Sequence, residues 1–173
     1  MKKSLVIFLM IMILLAGCGK QPTAETVNDT YIESPAAEMQ QVIVILPEEV
    51  CVPVMQTDGA TLYMCQDYTL SRQTFASGDL QKTFREVTGF DQADLKIMET
   101  TWENAKRYDF VWSAAGENGE QVCRGCILDD GNYHYVLTAA ADARDAGRLQ
   151  SLWREVFNSF RLVSPQMPVS TGS

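Results

Sequence analysis

Near the end of this 173-residue chain, Leu149, Leu152, Trp153, Val156, Phe157 and Phe160 recur at helical spacing, while Arg148, Gln150, Arg154, Glu155 and Asn158 take the positions between them. That spacing predicts a helix with one apolar stripe, and such a stripe has to be buried against another surface. Much of what precedes it reads as strand, so the surface on offer is a β-sheet.

Gln41 to Leu46 is a short β-branched run stopped by Pro47. Val50 to Gln56 and Thr61 to Thr69 flank Thr57-Asp58-Gly59-Ala60, a hairpin signal. After Ser77-Gly78-Asp79 the spacing turns helical, with Leu80, Phe84 and Val87 on one face and Gly89 as the stop. Leu95 to Thr101 reads as a further strand. Tyr108 to Ala115, Gln121 to Leu128 and Asn132 to Ala139 form a meander through turns at Gly116-Glu117-Asn118-Gly119 and Asp129-Asp130-Gly131-Asn132. The expected fold class is α+β: an antiparallel sheet of about five or six strands, with a middle helix and a C-terminal amphipathic helix packed on one face.

The other end of the chain is an address. Lys2 and Lys3 precede an apolar run from Leu5 to Ala16, followed by Gly17-Cys18. A dozen helical residues cover roughly 18 Å, short of the roughly 30 Å hydrocarbon core, so the run is an export signal rather than a span. Leu15-Ala16-Gly17-Cys18 resembles the lipobox of bacterial lipoproteins, which implies lipidation of Cys18 and removal of residues 1–17. Residues 18–39 are then a polar tether, 40–163 a single domain and 164–173 a Pro- and Gly-containing tail. Acyl chains on Cys18 would hold the domain on the extracytoplasmic side of the cell membrane. With 14 Lys+Arg against 22 Asp+Glu the formal charge is -8, which works against nucleic-acid binding and against docking on anionic lipid by charge.

Several features together resemble the PsbP-like fold in its small, DcrB-like bacterial lipoprotein form. They are the early strand ending at Leu46-Pro47-Glu48, the middle helix, the meander carrying Asp130-Gly131-Asn132-Tyr133-His134-Tyr135, and the close through Asn158-Ser159-Phe160-Arg161-Leu162. The resemblance covers roughly residues 40 to 163. It implies a non-enzymatic module that binds a protein partner or assists an assembly at a membrane, and it brings no catalytic residue set.

Besides Cys18, the chain has Cys51, Cys65, Cys123 and Cys126. Outside the cytoplasm an even number suggests disulfides, with local pairing of Cys51 with Cys65 and of Cys123 with Cys126 as the first expectation. Each pair meets a geometric objection. A turn through Asp58-Gly59 alone places Val52 opposite Cys65, so an odd loop or a bulge is required; two cysteines three apart on a regular strand face opposite ways. Buried free thiols, a tetrahedral zinc site and a thioredoxin-type Cys123-Arg124-Gly125-Cys126 motif are the other readings, the last lacking a helix N-terminus to lower a thiol pKa. His134 is the only histidine and reads as a strand residue; Asp129 and Asp130 are explained by their turn. No phosphate loop, nucleophile elbow or zincin motif is present.

The function expected from the sequence is therefore an exported, lipid-anchored binding or interaction module without catalytic activity or cofactor, which meets the membrane through Cys18 and takes a protein partner or small ligand. The rival is an envelope thiol-disulfide or zinc protein acting through Cys123 and Cys126.

Overall fold

The computed structural model describes residues 38–47, 51–102, 105–116 and 119–163. The signal segment, Cys18, nearly all of the tether and the tail from 164 lie outside the described residues.

Alternating side chains build most of the domain into one antiparallel sheet. In chain order its strands are β2 (Cys51–Gln56), β3 (Ala60–Cys65), β4 (Thr69–Ala76), β5 (Lys96–Trp102), β6 (Ala105–Gly116), β7 (Gly119–Asp129) and β8 (Tyr133–Asp142). Across the sheet the order is β2-β3-β4-β8-β7-β6-β5. Helix α1 (Leu80–Thr88) and a short 3-10 helix (Gln92–Asp94) join β4 to β5, and α2 (Ala143–Ser159) follows β8. The first strand, β1 (Gln41–Ile43), pairs with the last, β9 (Arg161–Val163), as a separate two-stranded sheet.

The architecture is the expected α+β one, but the two helices do not share a face as expected: strand alternation turns Cys126, Leu128 and Leu137 to α2 and Ile127 and Val136 to α1 on the opposite face. Two further differences concern the strands. The main sheet has seven strands, because Thr69–Ala76, of which only Thr69 falls in an expected strand, forms one of its own. Ser71, Arg72, Gln73 and Thr74 give β4 no apolar alternation, so only its place between β3 and β8 makes it a strand. Secondly, β1 leaves the main sheet and straps the two ends of the domain together. Gln40 N donates to the Tyr135 hydroxyl at 2.8 Å, and Ile45 N donates to Ser159 Oγ at 2.8 Å.

Local chemistry fixes the helix ends. Asp79 accepts from Gln81 N at 3.0 Å to start α1, and Gly89, at φ 80°, ends it in the left-handed region. On one sheet face, Leu149, Trp153, Val156 and Phe157 of α2 bury themselves among Leu70, Leu137 and Ala139. Opposite them, Phe84 of α1 packs on Tyr108, Phe110, Ile127 and Val136. Gly125 admits that second cluster: a Cβ there would run into the Phe110 ring, which lies over the bare glycine across the β6–β7 pair.

Candidate functional site

Helix α2 packs chiefly on β7 and β8 and meets β6 at its C-terminal end through Arg107. Along β6, Tyr108 and Phe110 turn toward α1, which sends Arg107, Asp109 and Val111 to the α2 side. Strand β5 adds Met98 and Trp102 to that side, opposite Asp109 and Ala105 in register. A groove of about 930 Å³ results between the strands and α2, walled by Met98, Val111, Val122, Ala146 and Trp153. A second hollow of about 520 Å³, toward Trp102 and Phe160, continues it. Both are lined by Met98, Asp109 and Arg124.

The polar floor of the groove is an unequal trio. Arg107 Nε donates to Asp109 Oδ2 at 2.6 Å and its Nη2 to Asp109 Oδ1 at 3.0 Å, a two-pronged pair largely out of solvent. Its remaining donors close the C-terminal end of α2, Nη2 on the Phe157 carbonyl at 3.0 Å and Nη1 on the Phe160 carbonyl at 3.2 Å. Burial opposes the Arg107 charge, yet the hydrogen bond and charge of Asp109 hold its pKa above the ordinary arginine value. Arg124 is differently placed. Its guanidinium lies 4.5 Å over the Phe157 ring and 3.6 Å from Asp109, beyond hydrogen-bond reach, and it has no hydrogen-bond acceptor among the described residues. At the same wall, the sealed Trp153 Nε1–H has no hydrogen-bond partner among the described residues.

The cysteines separate into two kinds. Cys51 and Cys65 form a disulfide. The ladder leaves the turn with Gln56 opposite Thr61, the register of a Asp58-Gly59 turn, and a bulge between Pro53 and Met55 then shifts it by one so that Cys51 faces Cys65. Cys123 and Cys126 do not pair: β7 stays regular, and both are buried free thiols. Cys126 lies in the core under α2, with Asp109 opposite it in register, whereas strand alternation turns Cys123 to the other face. Burial pushes both thiols up; at Cys126 the Asp109 charge adds to this while Arg107 and Arg124 partly offset it. The expected Cys123–Cys126 disulfide is thereby corrected, and with Cys51 and Cys65 bonded to each other the four cysteines do not assemble into a tetrahedral set. The two thiols face apart and are held protonated, and no group of three His, Cys, Asp or Glu among the described residues could hold a metal ion.

His134 is buried, its Nδ1 2.8 Å from Thr83 Oγ1 of α1, and its Nε2 3.8 Å from Asp129 Oδ1. It joins helix to sheet and does not line the groove. Asp129 and Asp130 do turn work, accepting from the Gly131 and Asn132 amides at 2.8 Å each. Cys18 lies outside the described residues. Sequence reasoning missed Arg107, Asp109 and Arg124; the available signal was the alternation of two charged residues with Tyr108 and Phe110 on one strand.

No protein-family model matches the chain, and no curated protein matches it. Among solved structures it is similar to cyanobacterial PsbP (CyanoP) from Synechocystis sp. PCC 6803, with a TM-score of 0.50 at 11% identity over 75% of this chain and 97% of that one. A crystal structure from Bacteroides thetaiotaomicron has a TM-score of 0.50 at 10% identity over 73% of this chain, which spans only 46% of that one. LpqN of Mycobacterium tuberculosis, described as involved in cell envelope biogenesis, has a TM-score of 0.45 at 11% identity, covering 77% and 88% of the two chains. At such identities the likeness is one of fold, and the fold is PsbP-like.

Proposed function

We propose that this chain is a lipid-anchored, extracytoplasmic binding module, held to the membrane through Cys18, whose ligand or partner enters the groove between α2 and the β5–β6 end of the sheet. The observation that carries the reading is that strip of sheet left bare by α2, where Met98, Trp102 and Val111 are more than half exposed around a buried ion pair. Large apolar side chains gathered at a concave, partly charged surface mark a binding site more often than a folding defect. The reading is one of binding rather than catalysis, because His134 lies under α1 and the free thiols lie in the core.

A photo-crosslinking residue at Met98, compared with one at the exposed Val54 of β2, tests the site in cells. A discrete adduct at Met98 alone is expected, and equal labelling at both positions would discard the groove. The anchor has its own test: Cys18→Ala should abolish incorporation of labelled palmitate, and continued incorporation would remove the lipobox reading.

A further inference from the structure

We propose that the groove holds a single-chain amphiphile with a carboxylate head, the head on Arg124 and the chain along Met98, Val111 and Val122; this rests on the binding-module reading above. Charge selects the head. In a chain of formal charge -8, the ionisable residues lining the groove and its extension are Lys96, Arg107, Arg124 and Arg161, with Asp109 as the acid among them. All of the Arg107 bonds run to Asp109 and the end of α2. Two arginines share the one carboxylate, which leaves the trio net positive, and Arg124, ion-paired to Asp109 at 3.6 Å, has a fork of N–H donors that finds no hydrogen-bond acceptor among the described residues. A planar carboxylate matches that fork with two parallel hydrogen bonds. A single negative charge suits a floor where Asp109 lies 3.6 Å from the same guanidinium, since a doubly charged phosphate would meet more repulsion there.

Shape selects the body. The two hollows share Met98, Asp109 and Arg124 and so adjoin one another, and an extended chain can lie across both where a compact ring system would fill one. Its larger part, at about 930 Å³, falls within the size range of small-molecule sites. The apolar share of the wall, Met98, Val111, Val122 and Trp153, is where the chain would lie.

The full chain carrying Cys18→Ser, which leaves no lipid on the protein itself, is titrated with sodium decanoate and followed by calorimetry and tryptophan fluorescence. Decyl maltoside and decyltrimethylammonium serve as neutral and cationic counterparts, and acetate as the head without the chain. Saturable one-to-one binding of decanoate is expected, with weaker binding of the other three. Arg124→Gln should weaken decanoate by about tenfold or more, the loss of a charged hydrogen-bonded contact. Val111→Asp, at an exposed position directly opposite Arg124 in register, should weaken it similarly without touching the core. Val54→Asp, at the far edge, should not. Equal affinity for decyl maltoside, absence of saturable decanoate binding, or unchanged binding in both groove variants overturns the assignment. A polypeptide adduct at Met98 combined with no decanoate binding would leave the binding-module reading standing and discard the amphiphile.

Discussion

The two ends of the seven-stranded sheet are finished in opposite ways. At one end, β2 and β3 are joined by the Cys51–Cys65 disulfide, and β2 carries Pro53 and a bulge, devices that close an edge against further pairing. The core under α2 extends as far as Cys65. At the other end, β5 has neither proline nor bulge, and the face it shares with β6 lies open beside α2. Yet the open end holds the buried ion pair, Arg107 with Asp109, tied to the last turn of α2. On the α2 face, order at the closed end comes from covalent and apolar contacts and at the open end from the Arg107–Asp109 pair. The apolar cluster of the open end lies on the opposite face under α1, and the apolar side chains on the α2 face of β5 and β6 are left free for a ligand.

If that division is right, mutations should separate by region. The largest effect is expected at Phe157, fully buried on the inner face of α2: Phe157→Ala should cost about 3 to 5 kcal/mol, read from a denaturant midpoint. A midpoint near that of the unaltered chain would mean that α2 is not what holds the covered half. Next, Cys51→Ser with Cys65→Ser should cost about 3 kcal/mol, since the bridge closes a loop of sequence separation 14. Decanoate affinity should be untouched in that double variant, and a parallel loss would show the two ends to be coupled.

Gly125→Ala should cost about 1 to 3 kcal/mol by driving a methyl into the Phe110 ring, and Phe110→Leu in the same chain should recover part of it. Absence of any recovery would locate the strain elsewhere.

Alkaline pH probes the strap over the closed face. Burial, the charge of Asp130 and the hydrogen bond to it push Tyr135 from its ordinary 10.0 to about 12, against the bond from the Gln40 amide. Because the folded state holds this proton more tightly, the corresponding stability is present below pH 10 and falls as the pH rises through 12. Tyr135→Phe should flatten that part of the pH profile, and an unchanged profile would assign it to another group. The smallest effect belongs to the open end, where Met98→Ala, at an exposed position, should stay within about 0.5 kcal/mol of the unaltered chain. A large loss there would erase the contrast between the two ends.

Sequence by itself determined the elements whose cause is local. The α2 stripe has a helical period, α1 lies between Asp79 and Gly89, and the β6–β7–β8 meander turns at its own Gly and Asp residues. Asp129 and Asp130 were legible as turn residues because the bonds that shape the turn are made within a few positions, whereas the bond from Gln40 to Asp130 was not legible. Tertiary structure decided what depends on residues far apart in the chain. Strand β4 is a strand because β3 and β8 flank it, and β1 found β9 rather than the main sheet. Which cysteines pair turned on one bulged residue, which shifts Cys51, Val52 and Pro53 by a register step from the frame set by the turn. The groove was out of reach for the same reason. Its walls come from β5, β6, β7 and α2, and no local pattern states how far across a sheet a helix will lie.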